Sequence, residues 1–253
     1  MADLIEMGCY DINEGDFSGC TPLAWAALCG HEALVKVLLG RQEVNLDKAD
    51  KHSKTPLLHA ARGGHEGVVK ILLQREEVNP QKSDKYGRTP LYCAAKGGHE
   101  GVVKILLRRE EVSPDKPECS GHTPLMSAAL SGHEGVVKIL LEREEINPDQ
   151  PTNHGLTPLM GAAMRGHEGV VKILLGREGV NPNRPGKDGQ TPLAYAASEG
   201  HKGVIQILLE REEVNPDQPD YWGKTPRSLI SMRYGKEVAA LLQSRKAVAP
   251  STV

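Results

Sequence analysis

The stretch from Asp84 to Pro117, DKYGRTPLYCAAKGGHEGVVKILLRREEVSPDKP, decides the architecture, because nearly all of it recurs. Thr-Pro-Leu begins at Thr21, Thr55, Thr89, Thr123, Thr157 and Thr191, and a degraded Thr-Pro-Arg begins at Thr225. Every step is 34 residues. Nine residues after each of the first six threonines comes a Gly-His pair: Gly30-His31, Gly64-His65, Gly98-His99, Gly132-His133, Gly166-His167 and Gly200-His201. A variant of His-Glu-Gly-Val-Val-Lys-Ile-Leu-Leu follows, then an Arg-Glu-Glu type triplet and a proline-rich segment. A period held this strictly marks a chain of stacked units rather than a set of domains.

Each unit reads as two short helices and a finger. Thr suits the N-cap, and the following Pro suits the first helical position, where its missing N–H has no intrahelical partner. The helix runs through an Ala-Ala pair, which lets neighbouring helices approach closely, and stops at Gly, which tolerates a left-handed conformation. The second helix carries an apolar stripe such as Val68, Ile71 and Leu72. Segments such as NPDQPDYWG make an extended finger ending in a tight turn. Neither helix can bury its apolar face alone, so the units must stack into an elongated solenoid.

Composition agrees. The chain has 253 residues, 39% of them hydrophobic, but only one Phe, two Trp and six Tyr. A large conventional core usually buries several rings, so burial here falls to Leu, Val, Ile and Ala. No apolar run approaches the roughly 18 residues of a membrane span. The formal net charge of −2 recruits no nucleic acid globally. Cys9, Cys20, Cys29, Cys93 and Cys119 show no CxxC spacing and are odd in number, which suits free thiols in a reducing, intracellular setting, cytoplasmic or nuclear. The N-terminus has no secretory signal pattern.

The motif D-x-x-G-x-T-P-L-x-x-A-A-x-x-G-H-x-x-V-V-x-x-L-L resembles the ankyrin repeat, matched from about Asp16 to Gln243 in seven units, the last degraded. The resemblance implies an all-α solenoid of helix-turn-helix units with β-hairpin fingers at about right angles to the helices. A single array over 1–253 is expected. It divides into an N-terminal half-repeat remnant (1–15), six full repeats (16–219), a degraded capping repeat (220–244) and a disordered tail (245–253). The half-repeat suggests a segment excised from a longer array. The pattern departs from the family in three ways. The usual period is about 33 residues, the His that usually follows Thr-Pro-Leu is replaced by Ala24, Leu58, Tyr92, Met126, Met160 and Ala194, and Ser53 stands where a turn glycine is usual, which strains that finger. Arg227, Ser231, Arg233 and Lys236 give the last unit the polar character of a solenoid cap.

Chemistry finds little support. Repeated histidines lie on the order of 10 Å apart across packed helices, whereas zinc needs its ligands at about 2.0–2.1 Å. No metal site is expected, and the histidines are assigned to backbone hydrogen bonds at the start of the second helix. Nucleophile elbow, HExxH, P-loop and dinucleotide motifs are absent, so no enzyme, catalytic residue, cofactor or small-molecule substrate is expected. The Arg-Glu-Glu triplets read as a solvated face laced with weak ion pairs.

Information lies in what does not repeat. Counting from each Thr, positions four, three and one before it vary, as do positions seven and eight after it. In ankyrin-like stacks these line the concave surface. Ten basic residues (Lys51, Lys54, Arg62, Lys85, Arg88, Lys96, Arg165, Lys187, Lys224 and Arg233) face two acidic ones, Asp188 and Glu199. Such a face favours a partner with an acidic patch. Leu130, Leu156 and Met164 form an apolar cluster over Met126 and Met160, rimmed by Arg165 and His154. Tyr86, Tyr221 and Trp222 occupy finger tips, where they suit interface anchoring, and His52 shares that row.

The expected function is a non-catalytic protein–protein interaction scaffold binding a protein partner through Lys51, His52, Lys54, Lys85, Tyr86, Arg88, Lys96, Leu130, His154, Leu156, Met164, Arg165, Tyr221 and Trp222. A self-associating or engineered solenoid is the alternative, with a monomer expected ahead of a homo-oligomer. Nucleic acid is a poor fit, because few aromatics interleave with the basic residues. No membrane association is expected.

Overall fold

The structure, a computed structural model, describes residues 11–234. The half-repeat remnant and the end of the capping repeat lie partly outside the described residues, and the tail lies wholly outside. Thirteen helices and no strand are present among the described residues. They come in pairs: α1 (Pro22–Leu28) with α2 (Glu32–Leu39), α3 (Pro56–Gly63) with α4 (Glu66–Leu73), and α5 (Pro90–Gly97) with α6 (Glu100–Leu106). The pairs continue with α7 (Pro124–Ser131) and α8 (Glu134–Leu141), α9 (Pro158–Arg165) and α10 (Glu168–Leu175), and α11 (Pro192–Glu199) and α12 (Lys202–Leu209). Helix α13 (Pro226–Tyr234) closes the described chain. Each first helix packs on the next first helix and each second helix on the next second helix.

The helices start and stop where the side chains direct. In the six full repeats the Thr side chain accepts the N–H of the residue three further on, as Thr89 does from Tyr92 at 3.1 Å. Thr225 and Ser228 cap each other reciprocally through N–H and hydroxyl, both at 3.1 Å. The core is one continuous strip, with Leu57, Ala60 and Ala61 of α3 meeting Val68, Val69 and Leu72 of α4, all fully buried. Each such Leu or Val contributes on the order of 1.5–3 kcal/mol by leaving water.

The Gly-His pair proves to be a lock between units. Gly64 ends α3 with φ 74°, a left-handed value that L side chains rarely adopt. A Cβ on Gly64 would lie 2.5 Å from Nδ1 of His99, one unit on, so the glycine also makes room for that imidazole. The His99 Nε2 donates to the Arg62 carbonyl at 3.0 Å. His65, His133, His167 and His201 reach Leu28, Lys96, Leu130 and Met164 in the same way, at 2.9–3.2 Å. These rings therefore bond the preceding unit's first helix. They do not cap the start of their own second helix, as expected from the sequence, because the imidazole is turned back across the unit boundary. In the last unit the Arg233 guanidinium takes over, lying on Gly200 and donating to the Ser198 carbonyl.

The Arg-Glu-Glu triplets also reach across. Arg75, Arg109 and Arg143 pair with their own Glu77, Glu111 and Glu145, and donate to the carbonyls of Leu39, Leu73 and Leu107 at the end of the preceding second helix.

The fingers carry the tight turn of a hairpin without its ladder. Asp50 and Lys54 are joined by one backbone bond, and the Asp50 carboxylate accepts the N–H groups of His52 and Lys54, both at 2.8 Å. Asp84, Glu118, Thr152 and Asp220 repeat this arrangement. A single backbone bond then links several finger pairs, such as Lys85 N–H to the His52 carbonyl at 3.2 Å. Pro117, Pro151, Pro185 and Pro219 lack the N–H that a further rung would need. Ser53 takes φ 62°, the position held elsewhere by glycines such as Gly87 at 77°. Ser53→Gly is therefore expected to raise stability by about 0.5–1 kcal/mol, read as a shifted midpoint in urea unfolding with an unchanged slope.

A further column joins the finger bases. Asn13 donates its amide to the Glu43 carbonyl at 2.7 Å and accepts the Asn45 N–H, and Asn183 does the same toward Glu213 and Asn215. Asp115 holds the equivalent place. Its Oδ2 accepts from Asn147, but its buried Oδ1 has no partner, and burial raises the carboxyl above its ordinary range against that one bond. Asp115→Asn supplies the missing donor toward Glu145 and should stabilise by about 1 kcal/mol. A raised folded pKa means that the native state holds the proton more tightly. The penalty is thus complete at neutral pH and fades as pH falls through the folded value. The gain on Asp115→Asn should shrink in parallel, and equal gains at pH 7 and pH 3.5 would refute the assignment.

Candidate interaction surface

The variable positions lie on rigid backbone. The residue seven places after each Thr (Arg62, Lys96, Leu130, Met164) ends a first helix, and its carbonyl is the one the next unit's imidazole holds. The residue one place before each Thr (Lys54, Arg88, His122, Leu156) is fixed by the carboxylate or hydroxyl that closes its finger. Between these two rows lies a floor of Leu58, Tyr92, Met126 and Met160, all buried.

Over units two and three these rows form one hollow of about 240 Å³, walled by Lys54, Arg62, Arg88 and Lys96 and floored by Leu58 and Cys93. Arg88 is pinned to Asp84, with Nη2 at 2.6 Å and Nε at 2.7 Å from Oδ2. Burial works to raise the Asp84 carboxyl, but the hydrogen bonds from Arg88 and Tyr86 outweigh it and hold it below the ordinary range. Arg88 also lies over the Tyr86 ring, 4.5 Å from its centre, with Lys85 on the same ring at 5.0 Å. Among the described residues no carboxylate pairs with Lys54, Arg62 or Lys96. His59, on the same helix as Leu58 and Arg62, is buried 3.1 Å from Asp50. Burial lowers its pKa despite that carboxylate, so it adds no cation to the hollow near neutral pH. Burial pushes the Cys93 thiol up to about 11, which removes it as a nucleophile.

The residues singled out in the sequence fall into three groups. Lys54, Arg88 and Lys96 converge on the hollow, and Arg62 joins them. Lys51, His52, Lys85, Tyr86, His154, Tyr221 and Trp222 are exposed along the row of finger tips, set apart from the hollow. Lys51 is partly spent on structure, donating its ammonium to the Phe17 carbonyl at 2.6 Å. Leu130, Leu156 and Met164 are only half-buried, with Arg165 exposed beside them, and Met126 and Met160 are wholly buried. The apolar cluster over units four and five therefore exposes only part of Leu130, Leu156 and Met164, above a buried Met126 and Met160. Gly161 leaves room that the Met126 methyl and the Leu130 side chain fill.

Two exposed aromatics went unselected. Phe17, 99% exposed, begins the finger-tip row, and Trp25 donates its indole N–H to Asp16 at 2.9 Å. Counting in register from Tyr221 would have found Phe17. Trp25, Leu34 and Val37 line a second, apolar hollow of about 550 Å³ at the N-terminal end of the described stack. In the next unit the places of Leu34 and Val37 hold Val68, buried in the core, and Ile71, packed against it.

No group of three or more potential metal ligands comes together among the described residues. No helix among them is long and apolar enough to cross a membrane. Cys20, Cys29, Cys93 and Cys119 are free thiols, and Cys9 lies outside the described residues.

Comparison with known proteins agrees with this geometry. The pattern for ankyrin repeats in three copies matches five overlapping spans, residues 2–83, 42–116, 76–152, 111–185 and 159–249. The crystal structure of the human ASB11 ankyrin repeat domain is similar at 27% identity and a TM-score of 0.75, covering 90% of this chain and all of that one (100%). The ankyrin repeat domain of Bcl-3, described as a unique member of the IkappaB protein family, is 23% identical with a TM-score of 0.74, covering 88% of this chain and 98% of that one. At that identity the likeness to Bcl-3 is one of fold. No match was found among curated proteins. With its matched spans running from residue 2 to 249, the chain belongs to the ankyrin repeat family.

Proposed function

We propose that the chain is a non-catalytic scaffold that binds a protein partner through its concave face, with an acidic patch of the partner over units two and three. Ankyrin repeats are generally protein–protein interaction modules. The observation that supports the finer reading is the hollow itself, where Lys54, Arg62 and Lys96 stand without a carboxylate while Asp84 is already committed to Arg88. Three uncompensated cations on a fixed backbone attract an opposite charge without any rearrangement of the main chain. Such a scaffold needs no cofactor or small-molecule substrate, and free thiols at Cys29 and Cys119 suit an intracellular site of action. Self-association through the apolar cluster of units four and five has less to stand on, because Leu130, Leu156 and Met164 are each already half-buried.

Quantitative capture from cell extract, comparing the native chain with the Arg62→Glu/Lys96→Glu variant, tests this reading. Matching circular dichroism melts would show that both fold. Proteins held by the native chain should fall at least tenfold on the variant, with cross-links from the retained partner mapping to Lys54 and Lys96. An identical set of proteins on both would overturn the proposal. Light scattering should return a single mass near 27.4 kDa at all concentrations, and a closed oligomer would favour self-assembly instead.

A further inference from the structure

We infer that the partner region is an extended peptide segment with an acidic half and an apolar half, the acidic half lying over units two and three and the apolar half over units four and five. This rests on the concave-face reading above and gives it a ligand chemistry.

From unit two to unit five the two rows that flank the buried floor change character once. Going up the array the pairs are Lys54 with Arg62, Arg88 with Lys96, His122 with Leu130, and Leu156 with Met164. All four pairs occupy equivalent places on equivalent backbone, and the imidazoles of His99, His133, His167 and His201 hold the helix-end carbonyls at one distance, 3.0–3.2 Å. The change from cationic to apolar is therefore made by side chains alone. Over units two and three, four cations meet Asp84, which is bound to Arg88, and Asp50, which is turned onto its own finger's N–H groups and His59. Over units four and five neither row holds a Lys, Arg, Asp or Glu, Arg165 stands exposed beside Met164, and Leu130, Leu156 and Met164 each keep part of their apolar surface in water. His122, at the boundary, is held by Glu118 at 2.9 Å.

A uniform polyanion fits poorly here. A nucleic-acid strand following the groove would carry phosphates over Leu156 and Met164, losing hydration without gaining a cation. A peptide can change chemistry along its length as the groove does. Packed helices lie roughly 8–10 Å apart, so four units span roughly 30 Å from first to last. At about 3.3 Å per extended residue that is some nine or ten residues, about half of them over each part. The hollow of about 240 Å³ admits single side chains rather than a folded surface, and carboxylates of Asp or Glu reach Lys54, Arg62 and Lys96 there.

Fluorescence anisotropy on the full chain tests this with three labelled 12-residue peptides of identical composition. One carries six Glu followed by alternating Leu and Ala, the second has the halves reversed, and the third interleaves the same residues evenly. One of the two block peptides should bind at least tenfold more tightly than the interleaved one. Arg62→Glu/Lys96→Glu should weaken it tenfold or more, and so should Met164→Asp. Met164→Gln provides the second reading where the aspartate variant fails to fold. Lys70→Glu/Lys104→Glu, on the exposed side of the second helices, should leave binding unchanged. Equal affinity for block and interleaved peptides, no measurable binding of either block peptide, or indifference to both Met164 variants would overturn the inference. So would a 12-nucleotide single strand that binds more tightly than both block peptides. If the captured partner still depends on Arg62 and Lys96 while no block peptide binds, the concave-face reading stands and the peptide inference falls.

Discussion

The stack depends on the contact between a glycine in the left-handed conformation and the imidazole of the following unit. Gly64 must lack a Cβ twice over: its φ of 74° is unfavourable for L side chains, and the space a Cβ would fill holds His99. The imidazole then satisfies a carbonyl at the end of the preceding first helix, where no intrahelical donor remains. One residue pair thereby ends a helix, sets the approach of two units and closes a backbone bond across the boundary. Its repetition at 34-residue steps produces a regular array from short helices that would be marginal in isolation. Where the register ends, Arg233 supplies the donor that a histidine supplies elsewhere, so the last unit is joined by the same carbonyl contact with a longer side chain.

Such a frame separates fold from recognition. Capping threonines, finger carboxylates and boundary imidazoles fix the backbone without using the side chains at the two concave rows. Lys96 and Leu130 have their carbonyls held identically, yet one presents a cation and the other an apolar chain. Substitution at these rows therefore changes surface chemistry at little structural expense, whereas the same change at Thr89 or His99 would strike a capping or boundary bond. Arg88 shows the limit of that freedom. Its guanidinium closes on Asp84 and on the Tyr86 ring, so it shapes the wall of the hollow more than it offers a free charge.

The architecture was legible because its determinants are local and repeated. Thr-Pro-Leu, Ala-Ala and Gly-His each act within one unit or across one boundary, and the period displays them in register. The polar ties between units were less legible, because their partners lie 30 to 37 residues apart and depend on which way a side chain turns. His99 reads equally well as a cap for its own helix, and only the packed geometry turns it toward Arg62. The same holds for Asp115, which shares a column with Asn183 but carries an oxygen where an amide donor is needed. On the concave face, charge could be counted from the sequence, but the commitment of Arg88 to Asp84 and the partial burial of Leu130, Leu156 and Met164 could not.

The hollow over units two and three gains its character from what lies beneath as well as from its rim. Leu58 and Cys93 make the floor apolar, and His59, next to Leu58 in the chain, is buried enough to resist protonation even beside Asp50. A cationic rim over a neutral, poorly hydrated floor strengthens the pull on an anionic side chain that reaches in, because less water remains to screen it. At the exposed finger tips, Lys51 and Lys85 stand in high-dielectric surroundings and are screened within about 10 Å at ordinary salt. The long-range field thus comes from the whole basic face, whereas Lys54, Arg62 and Lys96 border the hollow, where less water screens a charge. On the reading proposed above, electrostatics of this kind would place an acidic stretch, and Leu130, Leu156 and Met164, with Arg165 at their edge, would set the register of the apolar residues beyond it.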